Sequence, residues 1–126
     1  MEKILLFNTN DTEKIKKIVL PMHIKVININ PADYKKTVGE LVKLNADKTS
    51  TDTPFTGNIP DESLMLFCSI PDKKMDKILF NLRKNNIQIT YKAVLTPYNS
   101  SWTILRLFLE MEREHNAYLS TQNNNT

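Results

Sequence analysis

The sequence predicts an α+β domain built from two β-α-β-α repeats. Three observations lead there: four short apolar or alternating runs that read as strands, amphipathic stretches between and after them, and a match between the two halves. Leu6 and Phe7 fall on Leu66 and Phe67 at one constant shift. The same shift carries Ile15, Ile18, Val19 and Met22 onto Met75, Ile78, Leu79 and Leu82. With a gap, Pro31 then aligns with Pro97, and Val38 and Leu41 align with Ile104 and Leu107.

In chain order, the first strand is the run Ile4 to Phe7 and the second His23 to Ile29. The helix between them carries Ile15, Ile18, Val19 and Met22 on one face, at the spacing that keeps side chains in register over two turns. A second helix is expected over about Ala32 to Asn45, with Tyr34, Val38, Leu41 and Val42 on one side. The third strand is Leu64 to Ile70, the third helix carries Met75, Ile78, Leu79 and Leu82, and the fourth strand is Gln88 to Thr96. A longer, more apolar fourth helix spans about Ser100 to Leu119.

Residues 46–60, rich in Thr, Asp and Pro, read as a mobile linker between repeats 1–45 and 61–119. Residues 1–119 then form one domain, and 120–126, with nothing to bury, are expected to fray as a disordered tail. Strands one and three are almost wholly apolar and read as central, whereas two and four mix in polar residues as edges do. Two β-α-β units side by side predict the ferredoxin-like order 4-1-3-2, with the helices after strands two and four as additions. The alternative is a three-layer α/β sandwich with a mainly parallel sheet, in which those added helices cover the opposite face.

Length and composition suit a single core: 126 residues, 40% of them hydrophobic. The excess of 17 Lys and Arg over 14 Asp and Glu gives a net charge of +3, too small and too scattered for a dedicated nucleic-acid binder. A ferredoxin-like sheet that binds RNA does so through aromatics on its central strands, and Phe7 and Phe67 lack the basic flanks of that signature. The single cysteine, Cys68, lies in an apolar run and reads as a buried reduced thiol. The apolar stretch before Asn8 is too short for a signal peptide, and no later run approaches a membrane span. A cytoplasmic protein is therefore expected, without membrane association.

The strand Leu64-Met65-Leu66-Phe67, the helix end from Leu79 to Ile87, the run Lys92-Ala93-Val94-Leu95-Thr96 with Asn99 and Trp102, and Glu110, Glu114 and His115 together resemble a family of bacterial proteins. That family is catalogued only as a domain of unknown function, number 3783, and has no assigned activity. The resemblance implies positions and no reaction.

The residues themselves nominate a site in the second repeat: Lys92, Thr96, Asn99, Trp102, Glu112 and His115. Thr96 to Trp102 reads as a strand-to-helix turn in which Asn99 or Ser100 caps the fourth helix. Alternatively that helix N-terminus holds an anion, with Lys92 or Lys74 nearby. Trp102 reads as a core anchor beside Leu105 and Leu109, or else as a stacking platform for a ligand. Arg106, Glu110, Arg113 and Glu114 share a polar face, where Arg106 and Glu110 are spaced to pair.

Glu112 and His115 fall instead among Ile104, Leu105, Phe108, Met111 and Leu119. Either the helix outruns the sheet there, or the two form a partly buried acid–base or metal pair. A zinc site would have only His23 and Cys68 to add, without ligand spacing, so no metal and no cofactor is implied. No Ser/His/Asp order, nucleophile elbow or HExxH is present. The reading that follows is a non-catalytic module that binds a small ligand or another protein in a regulatory role, with a homodimer as one form of partnership. The alternative is a small enzyme using Glu112 and His115.

Overall fold

A computed structural model describes residues 2–44 and 60–124. The sheet contains β1 (Lys3–Phe7), β2 (Lys25–Ile29), β3 (Leu64–Cys68) and β4 (Tyr91–Val94), in the order β2-β1-β3-β4. The helices are α1 (Thr12–Val19), α2 (Val38–Val42), α3 (Asp72–Lys84) and α4 (Ile104–Asn124). Short 3-10 turns at Leu20–Met22, Pro31–Asp33 and Asn99–Ser101 follow α1 and precede α2 and α4.

Every residue of β1 and β3 is buried, as expected of central strands. They pair antiparallel, with Leu5 opposite Leu66 at the middle, while β1 pairs parallel with β2 and β3 parallel with β4. The expected order 4-1-3-2 is therefore corrected. Each β-α-β crossover joins neighbouring strands instead of skipping one, which exchanges the two edges and leaves the centre as anticipated.

Alternation sends successive side chains of β1 and β3 to opposite faces. Ile4, Leu6, Met65 and Phe67 meet Ile15 and Val19 of α1 and Ile78 and Leu82 of α3. On the other face Leu5, Phe7, Leu64 and Leu66 meet Tyr34, Val38 and Leu41 around α2 and Ile104, Leu107 and Phe108 of α4. Helices thus cover both faces of a mixed sheet, and α2 and α4 supply the layer that a two-layer ferredoxin-like fold would lack.

The helix expected over 32–45 is interrupted. After Pro31–Asp33 the chain turns again through Tyr34 and Lys35, becomes extended at Thr37, and α2 begins only at Val38. Thr37 explains this: its side chain accepts from the Glu40 N–H while the Glu40 carboxylate reaches back to the Thr37 N–H, a capping box. Thr103 plays the corresponding part at α4, its Oγ1 accepting from the Arg106 N–H at 3.2 Å. The two caps lie side by side as an antiparallel bridge. Their hydrogen bonds are reciprocal: Val38 N–H donates to the Trp102 carbonyl at 2.8 Å and Ile104 N–H to the Lys36 carbonyl at 3.2 Å.

Close approach at this junction needs Gly39, where a Cβ would sit 3.0 Å from the Ser100 carbonyl oxygen. Gly39→Val is expected to destabilise the protein by about 1–3 kcal/mol, overpacking outweighing any gain from replacing a helical glycine. Urea titration followed by circular dichroism measures it, and a stabilised variant would refute the tight packing.

Only two glycines are present, so other residues take the left-handed positions. Asn8 and Ser69 follow β1 and β3 at φ 56° and 57°, and His23 and Asn86 precede β2 and β4 at 58° and 56°. Buried Lys3 donates from Nζ to the carbonyls of Val42 at 2.6 Å and Leu44 at 2.8 Å, placing a cation where the end of α2 presents unpaired carbonyls. Residues 46–60, read as a linker, lie outside the described residues except for Pro60. Residues 120–124, read as the start of a tail, continue α4.

Candidate functional site

Four of the six nominated residues come together. Lys92, Thr96, Asn99 and Trp102 line a recess of about 260 Å³ beside the free edge of β4, with Glu110 and Glu114 of α4 opposite. Their polar groups are largely spent on the fold. Asn99 Oδ1 accepts from the Thr96 N–H at 2.9 Å, its Nδ2 donates to the Val94 carbonyl at 2.9 Å, and Thr96 Oγ1 accepts from the Asn99 N–H at 3.1 Å. Asn99 therefore locks the turn after β4, and capping of α4 falls to Thr103. Lys92 Nζ donates to the Ile89 carbonyl at 3.3 Å. Trp102 is half-buried against the core, with the Arg106 guanidinium 4.7 Å from its ring centroid. Arg106 is thus drawn to Trp102, and Glu110 pairs with Arg113 at 3.2 Å in place of the expected Arg106 partner.

An anion at the start of α4 would need free amide donors. Ile104, Leu105 and Arg106 already donate, to the carbonyls of Lys36 and Tyr34 and to Thr103 Oγ1. Lys74 is also elsewhere, 2.8 Å from the Glu2 carboxylate. The amides at the start of the helix are thus spent, and of the two lysines only Lys92 lies nearby.

Glu112 and His115 are exposed rather than partly buried, because α4 outruns the sheet: from Glu112 to Ser120 every residue is exposed. No group of three or more metal-ligating side chains occurs among the described residues. His23, exposed at its left-handed position, and Cys68, in the core, join neither Glu112 nor His115 in such a group.

Glu112 lines a second and larger pocket, about 540 Å³, whose walls are Tyr91, Leu105, Phe108 and Leu109, with Glu62 and Pro60 at its other side. It opens at the end of the sheet where β3 and β4 begin. Tyr91 and Phe108 stand edge to face at 6.5 Å, and the His115 ring lies 6.2 Å from Tyr91 on the outer side. Phe108 also contacts Phe7 at 6.1 Å and Tyr34 at 5.9 Å, so the inner wall is continuous with the core.

Asn8 fixes the rim. Its Oδ1 accepts from the Tyr34 hydroxyl at 3.1 Å, and its Nδ2 donates to the carbonyls of Pro60 and Glu62. The first half of the chain therefore holds in place a wall of a pocket that the second half lines. Burial pushes the Tyr34 hydroxyl up to about 12, opposed by hydrogen bonding at Asn8. Burial also raises the Tyr91 hydroxyl, and the carboxylates of Glu62 and Glu112 add to the effect.

Residues 63–118 match the family model described as Domain of unknown function (DUF3783). The match begins one residue before β3 and ends within α4, so it takes in Tyr91, Phe108 and Glu112 as well as the recess beside β4. DUF3783 carries no assigned activity. No curated protein and no solved structure matches the chain.

Of the pocket residues, sequence reasoning had nominated only Glu112, with His115 beside it. Tyr91 reads from sequence as one more alternating strand residue, and no local pattern singles out Glu62. The one available signal was an asparagine directly after an apolar strand in a chain poor in glycine.

Proposed function

We propose that the chain is a non-catalytic ligand-binding module whose site is the pocket between the start of β4 and α4. The observation that carries this reading is the pocket itself. Its volume lies within the range of small-molecule sites, its walls are aromatic and aliphatic, and its rim is anchored through Asn8 to the buried Tyr34. Several other candidates are engaged in holding the fold, as Asn99 and Thr96 are, or are already stacked, as Trp102 is. For the enzyme alternative, Glu112 and His115 would have to act as a pair. In the structure both are exposed, and among the described residues no hydrogen bond or ion pair joins either one to a side chain.

Strand addition at β4 is the weaker form of a binding role. The strand is four residues long, carries Lys92 on its edge and has its Val94 carbonyl taken by Asn99, features that discourage edge pairing. We further infer that the two halves derive from one β-α-β-α unit. The reciprocal caps at Thr37 and Thr103 support this, as do the paired left-handed positions flanking the strands. On this view the second copy lines the pocket and the first braces it.

Leu109→Trp tests the binding role. Leu109 is 46% exposed at the mouth of the pocket, so the substitution should change stability by no more than about 0.5 kcal/mol while filling the opening. In heteronuclear NMR spectra, aromatic fragments should shift the amides of Tyr91, Leu105, Phe108 and Leu109 in the wild type and fail to do so in the variant. Fragments that never move those resonances would overturn the proposal.

A further inference from the structure

We infer that the pocket selects a small organic cation, an ammonium ion on an apolar or aromatic stem. This inference rests on the ligand-binding reading and adds the sign of the ligand's charge.

Two carboxylates from different elements face the pocket, Glu62 from the segment leading into β3 and Glu112 from α4. Neither has an ion-pair partner among the described residues, although the chain carries 17 Lys and Arg. None of the described residues that line the pocket is basic. Other recesses differ in this respect: the one between α1 and α3 is lined by Lys14 and Lys17, and in the one beside β4 Lys92 faces Glu110, itself paired with Arg113.

Burial is the main reason the Tyr91 hydroxyl is held in its neutral form, and the carboxylates of Glu62 and Glu112 act in the same direction. Its other walls suit the remainder of such a ligand. Leu105, Leu109 and Pro60 offer apolar surface for a stem, and the rings of Tyr91 and Phe108 carry the quadrupole that attracts a cation. A carboxylate pair with no lysine partner among the described residues can thus be neutralised by a ligand, with the apolar walls contributing to affinity.

Three probes of similar shape and different charge test the inference on the full chain at neutral pH and low salt: 2-phenylethylamine, 2-phenylethanol and 3-phenylpropionate. Binding is followed by NMR shifts of Tyr91, Phe108 and Leu109. The amine is expected to bind about five- to tenfold more tightly than the alcohol, and the carboxylate more weakly than either. Replacing both acids, Glu62→Gln with Glu112→Gln, should bring the amine to the level of the alcohol and leave the alcohol unchanged. Both positions are exposed, so the double variant is expected to fold. Equal binding of amine and alcohol, or tighter binding of the carboxylate, would overturn the charge selection while leaving the pocket as a binding site. If none of the three shifts these resonances, the ligand-binding reading fails, and the cation inference with it.

Discussion

Phe108→Ala is expected to lower stability by about 3–5 kcal/mol, a large part of the roughly 5–15 kcal/mol available to a domain. Phe108 is 4% exposed and touches three other rings: Phe7 and Tyr34 from the first half of the chain and Tyr91 from the second. Truncation empties the space where the two halves meet on the α2/α4 face. Neighbouring backbone cannot readily collapse into it, because β1 is paired on both sides and the start of α4 is tied to Lys36 and Tyr34. Each lost edge-to-face contact adds about 0.5–1.5 kcal/mol to the area term. Phe108→Leu keeps most of the volume and should cost markedly less. Urea unfolding of both variants measures the difference. A loss below about 1 kcal/mol for the alanine variant would mean that this ring cluster does not join the halves as described. The same truncation removes a wall of the pocket, so a surviving fraction of folded protein should also bind fragments poorly.

The parts of this fold that the sequence made legible are those decided by local pattern. β1 and β3 are unbroken apolar runs, and a strand buried on both faces must be central. Their neighbours were not legible. Orders 4-1-3-2 and 2-1-3-4 both put strands one and three in the middle and both leave two polar-flecked edges, so hydrophobic pattern is blind to which crossover is made. The boundary of α2 was legible and missed. Thr37-Val38-Gly39-Glu40 has the spacing of a capping box, and it outranks the apolar spacing that joined Tyr34 to Val38.

Glu112 and His115 illustrate a different limit. Periodicity places them near the stripe that contains Phe108 and Met111, yet a helical stripe carries no information about where the sheet beneath it ends. The pocket depends on that ending. Its walls are joined by Asn8, Tyr34 and Glu62, residues from three segments whose proximity is set by pairing of β1 with β3, and no single stretch of sequence records it.

Alkaline pH should unfold this protein more readily than its composition suggests, and Cys68 is the largest reason. Burial in β3 pushes its thiol from 9.0 up to about 11, with the Lys3 ammonium opposite it working in the other direction. In the unfolded chain the thiol ionises at its ordinary value, so between these pH values the unfolded state releases a proton that the folded state keeps. The stability this group contributes is fully present below about pH 9 and is lost as pH rises through 11. Tyr34, raised from 10.0 to about 12, acts in the same sense one step higher, and Tyr91 shares its direction. Together Cys68 and Tyr34 should remove on the order of 3 kcal/mol by about pH 11, with the thiol supplying the larger share. Urea midpoints at pH 8 and pH 11 read this loss directly. Cys68→Ala, which deletes the titrating group for a small loss of packing, should retain more than half of what the wild type gives up. At pH 8 a thiol reagent should label native Cys68 only as fast as the chain opens, and label it at once in urea. Equal losses in wild type and Cys68→Ala would show that the alkaline transition is driven by another group, since nothing else in β3 titrates in this range.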